Sequence, residues 1–325
     1  MSSLYSLKKI SPGSFLRSTF LKRYKTYSEL VGKTVLNDLR QLAKSATPQS
    51  LDINLEVHQR MLGERLSPFA KSGFEFAETR LYQAGDNVRF INWRRYANSG
   101  DLYINTFHEE RRPQCWLIMD RRPTMRFGTR VRLKVSQAAI YTLFHLFKAQ
   151  HHQMDIGGVI LDQDLHWYDA RSSTANVQPL IQHITAACPP LPDKADDQLS
   201  QALRLLNVRL QPGCLIVMVS DFSDLRDSDS SSLNALANKH TLAAVQIVDP
   251  IEAHLPNQGR YNILQQHNQS VMPLDCNDAN MKQQLEQHLQ ERLQNIEQQL
   301  TQCRIQFKQV FTDEIFQPND ALVPQ

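Results

Sequence analysis

The chain has 325 residues, 41% hydrophobic and 21% charged, with a formal net charge of +3. That length allows one large or two ordinary domains, and the apolar fraction is enough for a packed core. No apolar run approaches the roughly 20 residues needed to cross a bilayer. The N-terminal charges (Lys8, Lys9, Arg17, Lys22, Arg23, Lys25) precede no continuous apolar stretch of the kind a signal peptide carries. A soluble, cytoplasmic protein is the expectation. A net charge of +3 is too small to imply a polyanionic partner by itself. The cysteines, Cys115, Cys188, Cys214, Cys276 and Cys303, form no close pair in sequence and suggest neither a disulfide framework nor a zinc site.

Residues 1–28 read as a basic arm, broken at Ser11-Pro12-Gly13. From Glu29 to Ala43, Leu30, Val31, Leu36, Leu39 and Leu42 fall near helical spacing, which predicts an amphipathic helix. Gly32-Lys33-Thr34 is not a phosphate loop: Tyr27 stands where that loop needs glycine, and no buried strand leads in. Leu51 to Phe107 reads as mostly extended, with turns at Gly73 and Gly85. Residues 29–110 are therefore expected to form a helix plus a β-rich appendage. In the appendage, Arg80, Arg89, Arg94 and Arg95 interleave with Glu75, Glu78, Asp86, Asp101, Glu109 and Glu110. Arginine pairs bidentately with carboxylates, so this pattern predicts ion pairs bracing two domains. A docking surface is the alternative.

Cys115 to Met119 is a short apolar run that stops at Asp120, the pattern of a buried strand. From there the chain alternates. Helices are predicted at Val131–Gln150, Thr174–Ala187, Asp197–Val208, Ser231–Lys239 and Asn280–Gln302. The last is polar, with Leu285, Leu289, Leu293, Ile296 and Leu300 on one face. Strands are predicted at Met154–Leu161, Leu165–Tyr168, Cys214–Val219, Leu242–Val248, Val271–Leu274 and Ile305–Phe311. Cys214–Val219 has the continuous apolar character of a central parallel strand. Alternation of this kind implies a doubly wound, mostly parallel α/β domain over residues 111–325. Ligands of open α/β sheets sit outside the carboxyl ends of the strands, which makes Asp120 the first candidate site residue.

Arg80, Tyr82, Gly85-Asp86, Arg89, Ile91, Trp93, Leu102, Phe107 and Glu110, followed by Ser220-Asp221-Phe222, Asp249-Pro250, Glu252, Leu255-Pro256 and Gly259, carry a resemblance. The pattern is similar to the signature of a bacterial family named only as a domain of unknown function, number 58. That resemblance implies a von Willebrand factor A-like fold and a link to MoxR-type AAA+ ATPases. Domains of that kind hold a divalent metal at the top of the sheet through an Asp-x-Ser-x-Ser loop, a threonine from a second loop and an aspartate from a third. A hard cation takes oxygen ligands, and a partner carboxylate can complete its shell.

Here the first loop reads Asp120-Arg121-Arg122-Pro123-Thr124, with Arg122 in the first serine position, where it cannot ligate a cation. Asp197 falls in the threonine position, and Asp221 is kept. The resemblance thus implies a degenerate metal site. Buried carboxylates need compensating charge, so Arg122, helped by Arg121, is expected to replace the ion and pair with Asp197 and Asp221. The rival is that Asp120, Thr124, Asp197 and Asp221 still bind Mg2+ or Mn2+. Neither a nucleophile elbow nor a dinucleotide glycine pattern is present.

The functional expectation is a non-enzymatic interaction module without a cofactor. Its partner would be a MoxR-type AAA+ ATPase, with other von Willebrand factor A-like proteins as further candidates. Arg121, Arg122 and Arg126 would grip a partner acid at the rim formed by Asp120, Arg121, Arg122, Thr124, Asp197 and Asp221. The alternative is an anion- or nucleic-acid-binding protein using the arginine-rich region 111–132, against which the interleaved acids argue.

Overall fold

The computed structural model describes residues 5–9, 30–45, 66–67, 74–84, 86–109, 112–171, 174–189, 197–265 and 271–316. The first part of the chain forms β1 (Tyr5–Lys9), α1 (Lys33–Ser45), β2 (Leu66–Ser67), β3 (Phe74–Leu81), α2 (Trp93–Ser99) and β4 (Tyr103–Glu109). Next come β5 (Gln114–Asp120), α3 (Lys134–His151), β6 (Asp155–Leu161), β7 (Leu165–Arg171), α4 (Thr174–Thr185) and α5 (Gln198–Arg209). Then follow β8 (Leu215–Ser220), α6 (Ser230–Ala237), β9 (Thr241–Val248) and the single turn α7 (Pro250–Ala253). The chain closes with β10 (Arg260–Gln265), β11 (Val271–Asp275), α8 (Ala279–Gln302) and β12 (Gln306–Phe311).

Six strands make the central sheet in the order β12-β9-β8-β5-β6-β7. All neighbours are parallel except the edge strand β7, which runs antiparallel to β6. Along β5, Cys115, Leu117 and Met119 enter one core while Trp116 and Ile118 enter the other. A strand covered on both faces has no polar side, which is why its sequence is uninterruptedly apolar. Each fully buried Leu or Ile there contributes roughly 1.5–3 kcal/mol. Gly157 and Gly158 in β6 are required by the same crowding. A Cβ on Gly157 would lie 2.7 Å from the Trp116 ring, and one on Gly158 would lie 2.6 Å from a Leu180 methyl.

The strand sequence reverses direction between β5 and β8, the two strands at the centre. That reversal is the topological switch point, and it opens a crevice at the carboxyl ends of both strands.

The first helix belongs to this core. Val31, Leu39 and Ala43 are buried against it, Leu36 and Leu42 pack on it, and the Leu30 N–H donates to the Thr185 carbonyl at 2.9 Å. A second small sheet, β2-β4-β3, is antiparallel and forms the appendage. The third has the order β1-β10-β11. Residues 5–9, read from sequence as part of a loose arm, are thus a strand alongside Arg260–Gln265. The rest of the expected arm, residues 1–4 and 10–28, lies outside the described residues, as do Gly73, Gly85 and Glu110. The expected edge strand at Val271–Leu274 exists but pairs in this third sheet, not in the central one.

One element of the appendage runs against the extended reading. Trp93–Ser99 is a helix, capped by Asn92, whose side chain accepts from the Arg95 N–H at 3.0 Å, and closed by Gly100 at φ +74°. Among the described residues no helix is long and apolar enough to cross a membrane.

Candidate functional site: a ring of strand-end carboxylates

Four neighbouring central strands end next to an aspartate: Asp120 closes β5, Asp162 follows β6, Asp221 follows β8 and Asp249 follows β9. Three of them pair with arginine or lysine from one segment, the stretch from Arg121 to Lys134 that leads from β5 into α3, and Asp162 also lies 3.8 Å from His183 Nε2.

At the switch point itself, Asp120 is fully buried. Its Oδ1 accepts from the Arg122 backbone N–H at 2.9 Å and from Arg122 Nε at 3.0 Å. Its Oδ2 accepts from Arg122 Nη2 at 2.7 Å and from Ser220 Oγ at 2.7 Å, which joins β5 to β8. The far edge of the guanidinium holds Asp224 through both nitrogens, Nη2 to Oδ1 at 2.8 Å and Nη1 to Oδ2. The planar fork thus lies between two carboxylates, each gripped bidentately, the geometry in which arginine ion pairs are strongest. Burial works against its charge, but Asp120 and Asp224 outweigh that and hold the Arg122 pKa well above its ordinary value.

Asp221 is held separately. Lys134 Nζ, itself buried, donates to Asp221 Oδ2 at 2.9 Å and to Glu252 Oε1 at 2.7 Å. Burial opposes the ionised Asp221, yet the Lys134 charge prevails and keeps the carboxyl well below the usual range. The same pair, against the same desolvation, drives Lys134 upward. Glu252 Oε2 also accepts from the Asp249 N–H, and Asp249 accepts from Ile251 N–H, forming a capping box. Asp249 binds Thr129 through backbone and hydroxyl and Thr312 through its hydroxyl. On the other side, Asp162 is bridged by Arg126 and by Arg121 Nε at 3.3 Å.

Phe222 pins the loop after β8. It adopts φ +51°, a left-handed conformation unusual for a bulky side chain. Its N–H donates to Ser220 Oγ at 2.9 Å while its ring is buried in the core. Ser220 and Asp221, adjacent in sequence, thus serve different partners: the Ser220 hydroxyl donates to the Asp120 carboxylate, and Asp221 accepts from the Lys134 ammonium.

The expected pairing of Arg122 with Asp197 and Asp221 is therefore corrected: Arg122 pairs with Asp120 and Asp224, and Asp221 pairs with Lys134. Asp197, with its side chain 57% exposed, pairs with Arg204 at 3.2 Å along its own helix. Thr124 Oγ1 is buried without a hydrogen-bond partner. The arrangement does not fit a divalent ion on Asp120, Thr124, Asp197 and Asp221. Both Asp120 oxygens are engaged, Asp197 faces solvent, and Asp221 faces an ammonium. Among the described residues no cluster of three or more His, Cys, Asp or Glu side chains is placed to hold a metal.

Nor are Arg121, Arg122 and Arg126 free to grip a partner acid, because all three are buried. Arg121 donates to the Ala186 and Ala187 carbonyls, and Arg126 donates to the Arg121 and Pro189 carbonyls. The same burial weakens the nucleic-acid alternative; of the other arginines there, Arg132 donates to Gln137 and the exposed Arg130 pairs with Asp313 at 3.4 Å. In the appendage, Arg80 pairs bidentately with Asp86 at 2.8 Å through both nitrogens, an ion pair within the appendage and not between domains. Sequence reasoning did not single out Lys134, Asp162 or Asp224. The signal that finds Asp162 is its place directly after a strand.

A family profile described as "Protein of unknown function DUF58" matches residues 78–295, which include the rim and the appendage from the middle of β3 onward. The chain belongs to the DUF58 family. Uncharacterised proteins of Mycobacterium tuberculosis and Mycobacterium bovis are each 25% identical to it over 224 residues, covering 67% of this chain and 69% of theirs. Among solved structures, a conserved hypothetical protein, BatB, from Bacteroides thetaiotaomicron aligns with TM-score 0.36 and 12% identity, covering 59% of this chain and 98% of BatB. An aerotolerance-related membrane protein from Bacteroides fragilis aligns with TM-score 0.33 and 14% identity, covering 58% and 99% respectively. Likenesses this distant carry no weight for the function of this DUF58 chain, whose architecture rests on its own strand order.

Proposed function

We propose that this DUF58 protein is a non-enzymatic interaction module that presents the strand-end face of a von Willebrand factor A-like domain to a MoxR-type AAA+ ATPase in chaperone-like assembly or maturation. The observation that carries this reading is Arg122. A guanidinium clamped between Asp120 and Asp224 occupies the switch point, where an A-like domain would place its ion. The face is thereby shaped without a metal, and the partner reads that shape. Asp224, Leu225 and Arg226 reach the surface around it.

The test is retention of the full chain by the purified cognate ATPase, in EDTA and in Mg2+, comparing wild type with Asp224→Asn and Arg122→Ala. Circular dichroism confirms that each variant is folded. Retention that survives EDTA and falls at least about tenfold, equivalent to about 1.4 kcal/mol, in the folded variants supports the reading. Undiminished retention by a folded rim variant overturns it.

A further inference from the structure

Of the large apolar side chains that stand exposed among the described residues, half lie between residues 81 and 102 of the appendage. Leu81 and Val88 are each 58% exposed and Trp93 is 61% exposed, with Tyr96 and Leu102 also open. The backbone holds these residues together. Tyr82 N–H donates to the Leu102 carbonyl at 2.8 Å, Asn92 N–H donates to the Tyr103 carbonyl at 2.8 Å, and Trp93 packs edge-to-face on Tyr96 at 6.1 Å. Every residue of α2 is exposed, so that helix buries no stripe of its own. A helix that covers nothing gains little from tertiary packing, the usual source of helix stability in proteins. It is formed here by its two caps.

The exposed charge between residues 81 and 102 is mostly positive, with Asp101 as the exposed acid. Arg80 and Asp86 neutralise each other, and the Arg95 guanidinium lies over the Tyr103 ring at 4.2 Å. Arg89 and Arg94 are exposed, and neither has a carboxylate partner among the described residues. Trp, Tyr and Arg are the residue types that dominate binding energy at protein interfaces. We propose that this face docks an acidic segment of a partner protein, one whose Asp or Glu residues alternate with Leu or Phe. The carboxylates would pair with Arg89 and Arg94, and the apolar side chains would pack between Trp93 and Leu81.

A nucleic acid fits less well. Three of the five apolar groups are aliphatic and offer no π face for a base. The Trp93 and Tyr96 rings meet at 88°, so successive parallel bases cannot stack on both. Two unpaired guanidiniums would also give only a shallow phosphate contribution. This surface is independent of the strand-end rim, and the two proposals fail separately.

The experiment uses the full chain and a fluorescein-labelled synthetic peptide of alternating Glu and Leu or Phe, read by anisotropy. Controls are the same peptide with every Glu replaced by Lys, and single-stranded oligothymidine. Saturable binding of the acidic peptide is expected. It should weaken at least about tenfold, equivalent to about 1.4 kcal/mol, in Trp93→Ala and in Arg89→Glu/Arg94→Glu, and stay unchanged in the rim variant Asp224→Asn. The substituted positions are exposed, so the appendage variants keep the fold, and circular dichroism verifies it. Absence of saturable binding, equal binding by Trp93→Ala, equal binding of the lysine peptide, or tighter binding of oligothymidine each overturns the proposal.

Discussion

The rim and the appendage use similar residue types in opposite ways. At the rim, Arg121, Arg122, Arg126 and Lys134 are buried and face aspartates delivered by three strands, β5, β6 and β8. In the appendage, Arg89 and Arg94 point outward beside exposed aromatic and aliphatic side chains. The contrast teaches that arginine density in a sequence says little about recognition until burial is known. A buried cation is committed to its partner, because separating the pair leaves an uncompensated charge in a poorly solvated site. An exposed one is available.

The largest effect that could break this comparison is at Lys134. Lys134→Met removes the ammonium shared by Asp221 and Glu252 and should cost about 3–5 kcal/mol in urea unfolding. A loss below about 1 kcal/mol would show that the rim is solvated like a surface. The advantage of wild type over this variant should also depend on pH. The Asp221 carboxyl is lowered, so its share is present above the usual 3.8 and is lost as pH falls further. The Lys134 pKa is raised, so its share is complete below 10.5 and is lost as pH rises through the folded value. In the variant, burial still opposes the ionised Asp221 while the ammonium that lowered it is gone, so the advantage of wild type should shrink as acid neutralises the uncompensated carboxyl. An advantage that grows on acidification contradicts the assignment.

Arg122→Ser should be similarly destabilising, by about 3–5 kcal/mol. It sharpens the comparison further, because it restores a hydroxyl beside Asp120, Ser220 and Asp224. Thermal unfolding of that variant is expected to shift upward on adding Mg2+ or Mn2+, while wild type does not respond. A metal-dependent shift in wild type would contradict the guanidinium as occupant. Gly157→Ala forces a methyl into the Trp116 ring and should cost about 1–3 kcal/mol. At the other end of the scale, Trp93→Ala should leave stability within about 0.5 kcal/mol of wild type. A large destabilisation there would mean that Trp93 supports the fold and is not a free contact.

What the sequence revealed followed from periodicity and what it hid followed from burial. The apolar runs of β5, β8 and β9 predicted a doubly wound sheet because strands covered on both faces leave a continuous signal. Asp120 and Asp221 were identified because charge interrupts those runs at their ends. Lys134 escaped notice because a charged residue opening a helix reads as solvated, and only the fold shows it pointing at Asp221. Asp224 lies in a loop that no pattern distinguishes, two residues past the left-handed Phe222, and only the fold shows it meeting Arg122. Asp197 was placed at the rim by the resemblance, as the residue standing in the second-loop threonine position ahead of Leu199–Leu203, whereas its side chain lies in solvent. The helix α2 was missed for a different reason. With no buried face it carries no apolar repeat, and Asn92 and Gly100 were its signals.

The guanidinium at the switch point has a consequence for regulation. An ion arrives from solution, so its occupancy follows concentration, chelators and competing species. Arg122 is covalently part of the chain and is present at unit stoichiometry from the moment of folding. Its departure would require opening the loop itself, with two carboxylates left behind. On the proposed metal-free reading, adjustment of this surface comes through movement of protein segments.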